Sequence, residues 1–157
     1  MRHFLAIPTI ALFITGLVGL SGAAADLTPY TVENAASVPV PLAGLTGDAV
    51  KGPIVFAKAK CADCHAIPGE AEGSAIGPDL NAVGTRLTPG EIRLMLIDPR
   101  ITYPDTDMPA YYAVGIYGEA PDELVGRTRL TAEEIEALVV WLSALTQARD
   151  DGDAGGD

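Results

Sequence analysis

The chain has 157 residues, 21 acidic against 10 basic, and a formal net charge of −11. Its length suits one domain. So acidic a chain lacks the basic face that nucleic acid demands, and favours partners that present a basic patch.

The first 25 residues read as an export signal. "MRHF" supplies the positive charge, "LAIPTIALFITGLVGL" the apolar run, and Ala23 and Ala25 the small residues ahead of Asp26. The rival reading is a retained membrane anchor. The apolar run is at the short limit for a span and is interrupted by Pro8 and two glycines, and no basic cluster follows it. Cleavage after Ala25 is therefore expected, and no membrane association after it. Export places the chain in an oxidising compartment.

Residues 26–47 contain Pro29, Pro39 and Pro41 and show little periodicity. They read as an extended arm lying across the domain or across a partner. A first helix is expected over roughly Asp48 to Lys58. Gly52-Pro53 interrupts it, so that Pro53 either kinks a continuous helix or stands at the start of a shorter one.

"KAKCADCHAIPG" follows, with both cysteines of the chain and one of its two histidines. Cys61-Ala62-Asp63-Cys64-His65 is C-x-x-C-H, the pattern of covalent haem attachment. Two thiols at this spacing add across the two vinyl groups of one haem, and the histidine that follows is held beneath the iron as an axial ligand. A thioredoxin-like pair needs a βαβ setting that is absent. A structural zinc site wants four ligands, and the exported chain offers two Cys and one His. One motif implies one haem c.

His3 leaves with the signal, so a second imidazole from this chain is excluded. The sulfur ligands on offer are Met95 and Met108. Met95 lies in "EIRLMLID", where Ile92, Met95 and Leu96 follow helical spacing and read as core. Met108 lies between Pro104 and Pro109 in "YPDTDMPAYY", where an extended backbone presents a side chain to a flat ring. Met108 is the expected sixth ligand. Methionine raises the potential and closes the coordination shell, which suits electron transfer better than substrate chemistry. Between motif and methionine lies "GPDL", whose Pro78 carbonyl can accept the Nδ1–H of His65. The other reading is an ordinary Gly-Pro turn.

A middle helix begins at Thr88, with Pro89 first and Glu91 closing a capping box, and stops before Pro99. Residues 110–128 form a long loop with Tyr111, Tyr112 and Tyr117, read as an interface or a cover for the haem edge, with packing around the haem as the alternative. The last helix opens on a Thr131–Glu134 capping box and carries an apolar stripe of Ile135, Leu138, Leu142 and Leu145, with Trp141 beside it in the core. No strands or repeats stand out. Residues 147–157 form an acidic tail, expected to be disordered.

This order of parts, from residue 48 to 146, resembles a monohaem cytochrome c: an all-α fold wrapped around one covalent haem. "GPDLNAVGTR", "LMLIDPR", "DTDMPAYY" and "LTAEEIEALVVWLSAL" resemble, more narrowly, the SoxX family, the small cytochrome subunits of SoxAX complexes. The resemblance implies haem attachment at Cys61 and Cys64, axial ligation by His65 and Met108, and the Pro78 carbonyl as the partner of His65. It also implies a SoxA-like haem subunit as heterodimeric partner. The complex couples thiosulfate oxidatively to a cysteine of the carrier SoxYZ, an L-cysteine S-thiosulfotransferase activity, and passes the electrons to a soluble cytochrome. No catalytic residue is carried onto this chain, and no free cysteine remains in it as a nucleophile. The competing expectations are a free-standing periplasmic shuttle cytochrome and a ligand-binding haem protein from which Met108 would have to depart.

Overall fold

The computed structural model describes residues 27–67, 72–74, 76–114 and 126–146. The expected signal segment, the acidic tail, Tyr117 and most of the loop that carries it lie outside these residues. Four α-helices are present among those described: α1 (Gly52–Lys58), α2 (Val83–Arg86), α3 (Pro89–Ile97) and α4 (Ala132–Ser143). Single 3₁₀ turns precede α1, hold the first cysteine and follow α3. The described chain has no strand, only an isolated bridge between Glu33 and Ser37. None of its helices is long and apolar enough to cross a membrane.

The first helix is the shorter of the two alternatives. Asp48 caps a 3₁₀ turn, Ala49–Lys51, by accepting from the Val50 amide, and α1 then starts at Gly52 with Pro53 in its first turn. Proline there costs no hydrogen bond, because first-turn amides have no intrahelical partner. Gly52 is required by what it meets. A Cβ at this position would collide with the Trp141 Cβ and stand 2.5 Å from its Cγ. The glycine lets α1 cross α4 backbone to side chain, and Phe56 one turn later stacks edge-on against Trp141 at 5.4 Å. Gly52→Ala is expected to lower unfolding free energy by about 2 kcal/mol, as overpacking of a tight contact does. A denaturant melt checks this; a gain in stability would mean that the helices part at no cost.

Helices α3 and α4 begin as their sequences predict. Thr88 accepts from the Glu91 amide while Glu91 accepts from the Thr88 amide, and Thr131 and Glu134 repeat the arrangement. Each box satisfies two amides that the helix itself cannot. Ile92, Leu94, Leu96 and Ile97 of α3 and Ile135, Leu138, Val139 and Leu142 of α4 are buried in one core. Met95 and Trp141 pack against it half-buried, and so does Leu145, just past the end of α4.

The arm lies across the domain. Val38 is 0% exposed and Leu42 1%, so the arm supplies part of the core. Its backbone is fixed at several points: the Val38 amide donates to the Gly90 carbonyl, the Thr102 hydroxyl to the Ala35 carbonyl, and the Thr28 amide to the Tyr112 hydroxyl. Gly47, at φ +72°, passes so close to α4 that a Cβ would stand 2.5 Å from the Glu136 carbonyl oxygen. A buried ion pair completes the fixation. Glu136 is 1% exposed and Arg93 3%. Arg93 grips both carboxylate oxygens, Nε to Oε1 at 2.7 Å and Nη2 to Oε2 at 2.8 Å. Its Nη1 donates to the Val38 carbonyl at 2.7 Å, and Glu136 Oε1 also accepts from the Leu42 amide at 2.8 Å. One pair thus joins α3, α4 and the arm.

Candidate haem site

The site is built on the turn that follows α1. The chain leaves the helix through Lys60 in the left-handed region, φ 58°, and enters a 3₁₀ turn over Cys61–Asp63. The Cys64 and His65 amides both donate to the Cys61 carbonyl, at 3.1 and 2.9 Å. This winding carries both thiols and the imidazole in five residues. The cysteines are not bonded to one another: Cys61 is buried and Cys64 half-buried, each a free thiol.

Ser74 and the residues from Gly77 to Leu80 lie over this turn and clamp it. The Ser74 hydroxyl donates to the Asp63 carbonyl, the Gly77 amide to the Cys64 carbonyl and the Leu80 amide to the Ala66 carbonyl. His65 is oriented by the same segment. Its Nδ1 lies 2.8 Å from the Pro78 carbonyl oxygen. That oxygen can only accept, so Nδ1 carries the hydrogen and Nε2 keeps its lone pair, the tautomer a metal ligand needs. Gly77 leaves room for the ring: a Cβ there would stand 2.7 Å from His65 Cε1 and 2.8 Å from Nδ1. Gly77→Ala is expected to turn the imidazole and disturb the axial-ligand charge-transfer band of the ferric protein, with haem still attached. An unchanged band would show that the ring is held from elsewhere.

Met108 sits in the loop after α3, half-buried against the core, with its amide donating to the Thr106 hydroxyl at 3.2 Å. The next residues anchor that loop. The Tyr111 and Tyr112 amides donate to the Leu96 and Ile97 carbonyls at the end of α3, and the Leu130 amide donates to the Tyr111 carbonyl. Both tyrosines are buried in this chain, 9% and 3% exposed. The expectation that they serve an interface is thereby corrected for these two. Their amides complete the open end of α3, which draws the rings inward instead of leaving them on the surface.

Sequence reasoning missed the neighbour of the first cysteine, Tyr111, whose hydroxyl acts on the ionisation of the Cys61 thiol. Burial pushes the Cys61 thiol up to about 11, and the neighbouring Tyr111 hydroxyl opposes that rise. Burial, with the neighbouring cysteine, also raises the Tyr111 phenol above its ordinary range. Only the "YY" after "MPA" in the sequence pointed to this place, and it did not say which ring turns toward the cysteine.

The donor set fits a covalent haem on the chain's own geometry. Two unbridged thiols stand at the attachment spacing, an imidazole has its Nε2 left for iron, and a glycine cradle accommodates the ring. The Met108 thioether is of the soft type that haem iron accepts.

The family model described as Cytochrome c matches residues 49–146 of this chain. A search of the curated proteins gives no match. Among solved structures, a chain of the crystal structure of SoxXA from P. pantotrophus is similar, at 26% sequence identity and a TM-score of 0.64. The match covers 74% of this chain and 94% of that one.

Proposed function

Because the chain belongs to the cytochrome c family, we propose that it is the electron-accepting haem subunit of a SoxAX-like heterodimer that couples thiosulfate oxidatively to a carrier cysteine. It is a small all-α monohaem cytochrome with one covalently bound haem c and a role in electron transfer. When bound, that haem supplies an iron that gains and loses one electron reversibly. Cys61 and Cys64 would hold it through thioether bonds, and His65 and Met108 would ligate its iron. The Pro78 carbonyl keeps His65 in the tautomer that frees Nε2.

Joining thiosulfate to a thiol forms an S–S bond and releases two electrons and one proton. With Cys61 and Cys64 taken up by the haem this chain has no further cysteine, and the reading places that bond on the partner, a SoxA-like haem subunit. The carrier is SoxYZ, and a soluble cytochrome takes the electrons onward. The activity of the assembly is that of an L-cysteine S-thiosulfotransferase, and this chain is its relay. Residues 1–25 are the signal that sends it to the periplasm, 26–47 its arm, 48–146 the haem domain and 147–157 an acidic tail.

The observation that carries this reading is the similarity to a chain of SoxXA along most of both chains. Gentle purification from the periplasm tests it, with chains and haems counted in the eluted peak. A second haem-bearing chain that stays bound is the expected result. A lone monohaem chain would replace the reading with a mobile shuttle cytochrome. Carbon monoxide binding to the reduced protein would favour the ligand-binding alternative.

A further inference from the structure

The loop that carries Met108 leaves α3 and returns to it. It sets out as the turn Pro99–Ile101, and the Tyr111 and Tyr112 amides bring it back to the Leu96 and Ile97 carbonyls. It is an Ω-type loop, closed at its base. Such a loop gains much of its rigidity from what packs on its limbs.

The arm grips both limbs. On the outgoing limb the Thr102 hydroxyl donates to the Ala35 carbonyl at 3.0 Å. On the returning limb the Tyr112 hydroxyl accepts from the Thr28 amide at 3.0 Å. The Tyr30 and Tyr112 rings also meet there, tilted, with centroids 6.5 Å apart. Met108 stands between these two points of the chain. The arm bends sharply where it presents the Ala35 carbonyl. Asn34 and Ala35 are both left-handed, φ 53° and 54°, and the Ala36 amide closes the turn by donating to the Glu33 carbonyl. Alanine adopts that conformation at a cost, so the turn persists because its surroundings hold it. Farther along, Arg93 and Glu136 tie the Val38 carbonyl and the Leu42 amide to α3 and α4. The arm therefore links the helical core to the ligand loop.

We propose that the arm is a brace for this loop: residues 28–35, acting on Thr102 and Tyr112, hold both limbs and so keep Met108 on the haem iron. Thr102 and Tyr112 are positioning residues in this scheme. Releasing either limb makes it easier to move Met108 aside and admits an outside ligand more readily. The inference rests on the reading of Met108 as the sixth ligand.

Imidazole binding to the ferric holoprotein, followed by loss of the methionine charge-transfer band, tests it. The wild type is compared with Thr102→Val, Tyr112→Phe and Gly52→Ala. The last loosens the α1–α4 crossing and leaves both arm contacts in place. Thr102→Val and Tyr112→Phe should each bind imidazole about 2–10-fold more tightly, the factor that one hydrogen bond of ordinary net strength supplies. Gly52→Ala should bind it as the wild type does. Unchanged affinity in the first two, or an equal gain in all three, would overturn the brace in favour of a general effect of stability. A second measurement needs no variant. Coupling between two sites is reciprocal, so displacing Met108 must loosen the arm. Exchange of the Thr28 amide hydrogen in the wild type should quicken when imidazole has abolished the methionine band. An equal rate overturns the proposal, including where the variants do not accumulate. A wild type that never shows the methionine band would instead bring down the ligand reading, an outcome distinct from a band present and an affinity unmoved.

Discussion

Glu136→Ala is expected to cost about 3–5 kcal/mol of stability, the range for removing one partner of a buried ion pair. That is a large share of the roughly 5–15 kcal/mol that holds a domain together. Two groups lose their acceptor together. Arg93 keeps a buried charge with only the Val38 carbonyl left among the partners described above, and the Leu42 amide is orphaned in the core. The arm should loosen first, since both groups tie it to the helices. Denaturant unfolding followed at the Soret band and by far-ultraviolet circular dichroism measures the loss. A drop below about 1 kcal/mol, the scale of exposed pairs, would mean that water enters and solvates Arg93. The double variant Arg93→Met/Glu136→Leu should recover much of the loss, because an apolar pair of similar volume replaces two buried charges. The Leu42 amide would still lack an acceptor, so recovery should stop short of the wild type.

Met108→Ala is the change with the largest expected effect on function. Haem should remain attached through Cys61 and Cys64, while the midpoint potential falls and the reduced iron becomes open to carbon monoxide. The neutral sulfur ligand is what raises the potential in this class of site, and losing it leaves one axial position open. Met95→Leu is the control. Met95 packs half-buried on α3 between buried Leu94 and Leu96, so its replacement by leucine should leave the potential where it was. An unchanged potential and spectrum in Met108→Ala would transfer the ligand role to Met95 or a lysine.

Much of the frame was legible because its signals are local. The capping boxes at Thr88 and Thr131 involve residues three apart, and both helices start where those residues place them. Pro53 limited α1 to one of two geometries, and the structure takes the shorter. The C-x-x-C-H spacing is equally local, since attachment chemistry dictates it within five residues. The proline carbonyl facing His65 was one of two readings of "GPDL", and the 2.8 Å contact favours it over a bare turn.

Other features could not be read that way. Arg93 and Glu136 each sit inside an apolar run, 43 residues apart. A charge in such a run is an anomaly that sequence can flag, yet its partner appears only when α3 packs on α4. The arm had two candidate resting places, its own domain or a partner, and Val38 and Leu42 lie in the core of its own domain. Tyr111 and Tyr112 looked available to a partner until the open end of α3 drew in their amides.

The sequence by itself determined the haem-attachment pattern, the starts of α3 and α4 and which side chains are on offer as ligands, because covalent spacing, caps and proline act over a few residues. Only the tertiary structure decided where the arm lies, which charges are buried and that Tyr111 and Tyr112 turn inward. Those depend on groups far apart in the chain competing for the same buried volume and hydrogen bonds, and that competition is settled only when the helices close around one another.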